Sequence, residues 1–343
     1  MFGDGRGPLV VNVQSIADAV VGFRGAVLLF SAVHLGVFEF LKGRFLSVRE
    51  IGSELSFKPR PAEIFLDALT AQGFLIKREG RYKNSPVSDK YLVPQSPHSL
   101  ANNIRYQYRL MEDWLNLPTI LRSGTPAQGL DRRLTNAAFV NDYIQGMKEL
   151  ARGTANQVSA HLCSFPGGSV LDVGGGHGHY LKALLQRRTD WRGALLDLPK
   201  TVRLARQFLA DFSGRVQFLS GNYRKINFGD NRFDLILMSH ITHDESERDN
   251  RFMFQKAARS LRPGGVLAVH DFLVDKSHTR PAFSALFSVH MLTYTLKGRV
   301  YSLEEYRRML NDARLTFMKV LPINKGAINQ SYLLVSRKRE SAQ

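Results

Sequence analysis

From residue 169 onward, short apolar runs alternate with stretches in which apolar residues recur every three or four positions. That alternation of strand and helix periods predicts a doubly wound α/β sheet. The strands read at 169–173, 193–198, 215–220, 233–239 and 265–271. Two last apolar runs, near 315–321 and 331–336, follow each other with no good helix between them. They predict a terminal hairpin, which places an antiparallel strand in an otherwise parallel sheet.

The first half has a different pattern. Residues 14–41 carry helical spacing through Ile16, Val20, Val21, Ala26 and Leu29, punctuated by Gly36. Ser47 with Glu50 has the spacing of a capping box. Pro61 suits the first position of a helix that runs through Leu69 and stops near Gly73. Phe74 to Lys83 reads as a hairpin turning at Glu79-Gly80. Helix, turn, helix and hairpin make a winged helix. Residues 101–162 are mostly helical, broken near Ser123–Pro126 and at Gly129. There Phe139, Tyr143 and Met147, four apart on one helix face, suit either core packing or the lining of an apolar substrate pocket. The chain thus divides into 1–100, a 101–160 linker and substrate cap, and 161–343.

Composition narrows the class. A length of 343 residues allows two domains and a sizeable core. The single cysteine, Cys163, excludes an internal disulfide and a cysteine-based zinc site, and suits a reducing compartment. Met1 to Asn12 lacks the basic start and apolar run of a secretory signal, so a cytoplasmic location is expected. The longest apolar stretch, Ala26 to Leu41, is interrupted by Ser31, His34 and Glu39, which favours a buried helix over a membrane span. The formal charge of +17 sits mainly in the second half, with 29 Lys and Arg against 16 Asp and Glu in 151–343. Its basic residues are dispersed, as on a solvated surface. A winged helix invites a DNA-binding reading, but the would-be recognition helix carries Glu63 and Asp67 with only Arg60 near its start. A subunit interface explains that region better, so a homodimer and no nucleic-acid partner are expected.

Candidate chemistry begins at Val170-Leu171-Asp172-Val173-Gly174-Gly175-Gly176-His177-Gly178-His179-Tyr180. Strand, glycine turn and helix form the layout of a nucleotide-type cofactor site. The spacing is G-x-G-x-G, with no Lys-Ser or Lys-Thr to hold a phosphate and Mg²⁺, so the loop suits a nucleoside ligand without a pyrophosphate. Ligands of such sheets sit beyond the carboxyl ends of the strands. Asp197 ends the second strand, where a carboxylate can accept from both ribose hydroxyls. Asn222 and Tyr223 follow the third, suited to an adenine edge and face. His240 and His243 follow the fourth, where acid–base work is possible. The two histidines could also suggest a metal, but no third ligand shows a clear spacing, so none is expected.

Val170–Gly178, Asp197-Leu198-Pro199, Gly221-Asn222, His243-Asp244 and Leu261-Arg262-Pro263-Gly264-Gly265 together resemble the successive motifs of S-adenosylmethionine (SAM)-dependent O-methyltransferases. The similarity is to the family that includes caffeate and acetylserotonin O-methyltransferases and bacterial relatives. It covers nearly the whole chain. It implies a Rossmann-like class I methyltransferase sheet behind a mainly helical, winged-helix dimerisation domain. It also implies SAM as cofactor and a small hydroxylated acceptor, aromatic or polyketide-like. By position, Gly174, Gly176, Asp197, Leu198, Asn222, Tyr223 and Ser239 would hold the cofactor. His243 would be the general base and Asp271 its carboxylate support. Phe139, Tyr143, Met147, His240, Phe287 and Met291 would line the acceptor site, with Ser284–Tyr294 as one wall. The chain departs from the family at Glu245, where Trp is frequent, at Asn222, where Asp is usual, and at Val300, where a second supporting Glu falls. Methylation of nitrogen or carbon, and a non-catalytic SAM-binding regulator, are the rival readings.

Overall fold

The terminal hairpin organises the sheet that carries the site. In this computed structural model, which describes residues 11–339, seven strands form one mixed sheet. The stretch read for a secretory signal lies outside the described residues except for Val11 and Asn12. The chain forms two units. Among the described residues, the smaller contains those up to Glu112 together with Asn141–Leu150; the larger contains Asp113–Val140 and those from Ala151 on.

In the smaller unit, α1 (Val13–His34) ends before Gly36, whose φ of 76° breaks the helix. α2 (Val48–Leu55) opens with the expected capping box, Ser47 N–H donating to Glu50 Oε2 at 2.7 Å. α3 (Pro59–Ala71) starts two residues earlier than Pro61 suggests, because Pro59 also fits a first turn whose N–H groups need no helical partner. β1 (Leu75–Arg78) and β2 (Arg81–Asn84) form the hairpin, joined by Leu46–Ser47 as a third strand. Asp67 is not presented to a groove. It accepts from Lys77 Nζ at 2.7 Å and from the buried Tyr82 hydroxyl at 2.6 Å, tying α3 to the wing. α1 is long and apolar enough to cross a membrane by length and composition. Its C-terminal residues Ala32 and Val33 join the core, whereas Val13, Ile16, Val20, Val21 and Phe23 are exposed.

Two helices supply side chains to both units. In α4 (Ala101–Leu115), Tyr106 packs edge-on against Tyr143 of α5 (Ala137–Leu162) within the smaller unit.

In the larger unit, β3 (Ser169–Val173) leads through the glycine turn into α6 (His179–Arg187). β4 (Arg192–Asp197), β5 (Val216–Ser220), β6 (Phe233–Ser239) and β7 (Leu261–Asp271) follow. α7 (Glu247–Ser260) connects the last two. Beyond β7 come α8 (Ala282–Tyr294), α9 (Leu303–Asp312) and the hairpin β8 (Leu315–Ile323) and β9 (Ser331–Lys338). The strand order is β8-β9-β7-β6-β3-β4-β5. β3, β4, β5, β6 and β7 are parallel, and β9 pairs antiparallel with β7 and with β8. The near-continuous apolar runs of β3 and β6 are explained by two buried clusters, one on each face of the sheet. β7 begins four residues before the expected start, because its Leu261 pairs with Phe233. In α9, Tyr306 is fully buried and reaches the site described next.

Candidate active site

β3 is central, so the turn after it faces the ends of β4 on one side and β6 on the other. Gly174 has φ +65°, and a Cβ there would lie 2.7 Å from Ile241 Cγ2, in the segment that follows β6. Gly176 has φ +56°, with nothing within 4 Å of where a Cβ would stand. The turn therefore packs tightly at one glycine and leaves open space at the other. Asp197 Oδ2 accepts from Gly176 N–H at 2.8 Å and Oδ1 from Leu198 N–H at 2.7 Å. These bonds fix the carboxylate at the end of β4 and leave lone pairs for a ligand hydroxyl. Burial raises the Asp197 pKa in spite of them. Asp172 is buried behind the turn, and neither of its carboxylate oxygens has a hydrogen-bond partner among the described residues. Burial, with the charge of Asp197 next, pushes it up to about 8. Two adjacent carboxylates with an open glycine turn fit a ligand that brings positive charge, as a sulfonium with an ammonium group does.

Asn222 Oδ1 accepts from Arg224 N–H at 2.8 Å, an Asx turn that shapes the loop after β5. The Tyr223 hydroxyl donates to Glu245 Oε1 at 2.7 Å, and Arg224 Nε donates to the same oxygen at 2.7 Å. Glu245, the departure from the family pattern, thus ties the loop after β5 to the one after β6. Ser239, expected at the cofactor, has its hydroxyl 3.0 Å from His270 Nδ1, and His270 Nε2 lies 2.8 Å from the Ser331 hydroxyl. Burial holds His270 well below the usual imidazole pKa, so it is neutral.

β6 and β7 are in register with Ser239 opposite His270, which brings the residues after β6 beside Asp271 at the end of β7. His243 Nδ1 and Asp271 Oδ1 are 2.6 Å apart, both residues buried. Asp271 is held from several directions. Oδ1 also accepts from Phe272 N–H at 2.8 Å; Oδ2 accepts from the Thr242 hydroxyl at 2.5 Å and from His243 N–H at 3.2 Å. Tyr306 Oη lies 2.6 Å from Thr242 Oγ1, extending the network into α9. Burial alone would raise the Asp271 pKa. The His243 charge and the hydrogen bonds from His240 and His243 outweigh it and keep the carboxyl well below its ordinary range. Burial likewise lowers His243, but Asp271 and then Asp244 overcome it and raise the imidazole to about 9. Nε2 of His243 has no hydrogen-bond partner among the described residues; Asp244 Oδ1 lies 3.8 Å away.

Rings surround this imidazole. Phe287 meets it edge-on at 5.1 Å and Phe272 stacks at 6.5 Å. Phe272 and Phe283 also pack on Phe287. His240 has the left-handed φ of 54°, places Nδ1 3.6 Å from Asp271 Oδ1, and lies edge-on to His270 at 4.4 Å. Donor atoms of His240, His243 and Asp271 fall within 4.8 Å of one another, a grouping that could hold a metal ion. The fold supplies in Asp271 the third ligand that linear spacing does not reveal.

The other expected acceptor-site residues are dispersed. Met291 is buried on α8. Phe139 lies under the Arg133 guanidinium, which also covers the Tyr294 ring, at 5.9 Å from each. Tyr143 and the half-buried Met147 belong to the smaller unit. Gly298 has no sequence signal. A Cβ there would stand 2.3 Å from the His243 carbonyl oxygen and 2.5 Å from Thr295 Oγ1, so the loop after α8 rests on the backbone of His243.

Sheet order, antiparallel last strand and glycine turn define the class of Rossmann-like methyltransferases. More narrowly, the chain belongs to the O-methyltransferase family. Residues 124–315 match its O-methyltransferase domain and residues 18–94 its dimerisation domain. Among curated relatives, a 3-hydroxy-5-methyl-1-naphthoate 3-O-methyltransferase of Streptomyces sahachiroi is 30% identical over 321 residues, 91% of this chain and 92% of that one. The tetracenomycin polyketide synthesis 8-O-methyltransferase of Streptomyces glaucescens is 28% identical, over 93% of this chain and 94% of its own. An O-methyltransferase family protein from Burkholderia thailandensis superposes with a TM-score of 0.87 at 26% identity, covering 97% of this chain and 100% of that one. Human N-acetylserotonin methyltransferase, solved in complex with SAM, shares the fold with a TM-score of 0.83 at 24% identity, over 97% and 99% of the two chains. The protein is a SAM-dependent O-methyltransferase.

Proposed function

We propose that this enzyme methylates a hydroxyl of a small aromatic or polyketide-like acceptor, with His243 as general base and Asp271 as its support. The observation that carries the reading is the His243–Asp271 pair, which occupies Nδ1 and leaves Nε2 among aromatic rings. When bound, SAM supplies a methyl group already activated by its sulfonium. Gly174, Gly176 and Asp197 with Leu198 hold the cofactor beyond β3 and β4; Asn222, Tyr223 and Ser239 complete its site. His243 Nε2 takes the acceptor proton as its oxygen attacks. A phenol has a pKa near 10 and this imidazole one of about 9, so proton transfer to the neutral ring is nearly balanced, and the share of neutral ring rises with pH up to about 9. Asp271 fixes the tautomer and stabilises the imidazolium that forms. Phe287, Phe272 and His240 form one wall against a flat acceptor, and Phe139 and Met291 contribute to its lining.

The relatives act on a naphthoate and in polyketide synthesis by name, which supports an aromatic acceptor. The exposed apolar face of α1, whose Val20, Val21 and Phe23 lie within the stretch matching the dimerisation domain, supports a homodimer formed through it. The single cysteine, Cys163, which suits a reducing compartment, supports a cytoplasmic location.

The test combines calorimetry with a product search. Wild-type protein incubated with SAM and fractionated small-molecule extracts should give products heavier by one methyl. His243→Ala should keep SAM affinity within about twofold and lower kcat by roughly 10²- to 10⁴-fold. Near-wild-type rates from about pH 6 to 9 in the variant would remove the base assignment. A wild-type protein that does not bind SAM would remove the whole reading.

A further inference from the structure

One face of α8 repeats aromatic residues at helical spacing: Phe283, Phe287, His290 and Tyr294. The third member is the exception, a polar ring within an apolar stack. Its plane lies nearly parallel to Trp114, at 6.1 Å and 7°, and to Tyr294, at 5.4 Å and 16°. It is also 5.4 Å from Phe287, the ring that meets His243 at 5.1 Å. Both imidazoles therefore border the same phenylalanine. Stacking uses the faces of the His290 ring and leaves its edge, with both nitrogens, unused. Neither nitrogen makes a hydrogen bond among the described residues, and the half-buried ring leaves that edge open to a partner.

We propose that His290 is a specificity-determining residue that hydrogen-bonds a second, uncharged oxygen substituent of the acceptor. The enzyme would then select aromatic phenols with a further hydroxyl or carbonyl over simple phenols, and would disfavour carboxylates. This rests on the acceptor site proposed around His243.

The electrostatics at this end set the kind of substituent. Burial, with the positive charge of His243 next, lowers the His290 pKa to about 4. The ring is therefore neutral, offering one N–H donor and one nitrogen acceptor, which match a hydroxyl or a carbonyl. The cation nearby is not available for a carboxylate. Arg133, whose guanidinium covers the Tyr294 ring, is paired with Asp113 at 2.5 Å, and both side chains are largely buried. The His243 charge is likewise paired, with Asp271, so an anionic substituent would meet a neutral imidazole and two neutralised ion pairs, and would lose its hydration without gaining a charge partner. A histidine that merely filled space would be replaceable by phenylalanine, and that difference is testable.

The experiment uses full-length protein loaded with S-adenosylhomocysteine, so that binding is read without turnover. The probes are 2-naphthol, 2,7-dihydroxynaphthalene and 7-hydroxy-2-naphthoate, titrated by calorimetry. The wild type should bind the diol roughly tenfold more tightly than 2-naphthol, the hydrogen bond being the only difference. It should bind the naphthoate no better than 2-naphthol. His290→Phe should abolish the preference for the diol while 2-naphthol affinity stays within about twofold. His290→Gln, which keeps a neutral donor and acceptor, should restore most of it. Equal binding of diol and 2-naphthol by the wild type, a preference surviving in His290→Phe, or tighter binding of the naphthoate would each overturn the proposal. Failure of the wild type to bind S-adenosylhomocysteine would count against the reading of the site as a whole. Intact cofactor binding without a diol preference would remove the role of His290 alone.

Discussion

Asp271→Asn removes one charge and little volume from the pair that sets the His243 imidazole. The rise of that imidazole from its ordinary 6.5 to about 9 is the net of burial, which opposes it, and of Asp271 and Asp244, which drive it. At about 1.4 kcal/mol per pKa unit the net amounts to roughly 3 kcal/mol favouring the charged ring. With Asp271 neutralised, burial and Asp244 remain, and the imidazole should titrate at least about two units lower. A histidine whose folded pKa is raised contributes stability that is fully present below its unfolded pKa and is lost as pH rises through the folded value. The variant should therefore be less stable than wild type by roughly 3 kcal/mol near pH 6, and this pH-dependent difference should vanish above pH 9 or so. Urea unfolding at several pH values measures that difference, and the acid limb of kcat/KM against pH measures the imidazole in the free enzyme. The limb should move to lower pH while the plateau falls by about tenfold to a thousandfold, because the neutral amide that replaces the carboxylate no longer stabilises the imidazolium. An acid limb at the same pH in both proteins, or a stability difference that does not change between about pH 6 and 9.5, would refute the coupling.

Gly298→Ala puts a methyl group where the His243 carbonyl oxygen lies 2.3 Å away, so it should cost about 1–3 kcal/mol in unfolding free energy and lower kcat more than it raises the KM for SAM. Asp197→Asn replaces a carboxylate that accepts from Gly176 and Leu198, and calorimetry should show SAM binding weakened by about tenfold or more. Dialysis against EDTA should leave kcat unchanged. Added Zn²⁺ should inhibit through the His240, His243 and Asp271 donors, and that inhibition should weaken in His240→Ala.

The parts legible in the sequence were those carried by short, local signals. β3 with its glycine turn, the capping box at Ser47, and the hairpin at Glu79-Gly80 each depend on neighbours in the chain. The contents of the site were less legible where they depend on register. Asp271 is 28 residues from His243, and only the pairing of Ser239 with His270 makes them neighbours. Tyr306 sits in an amphipathic helix, and nothing local says that its hydroxyl ends beside Thr242. Glu245 could be seen as a departure from a motif, but its partners Tyr223 and Arg224 follow a different strand. Gly298 carried no signal, since close packing on a distant backbone leaves no pattern in sequence.

The contact at Gly298 also bears on how such an enzyme can change its acceptor. In the proposed site, residues on α8 face the acceptor, and the chain leaving α8 passes directly over the backbone of His243. Shifts that widen or tilt α8 for a larger acceptor are transmitted to the position of His243 unless the segment from Thr295 to Gly298 absorbs them. New specificities should thus arise first by exchanging side chains on a stationary α8, as at His290, and only rarely by moving the helix.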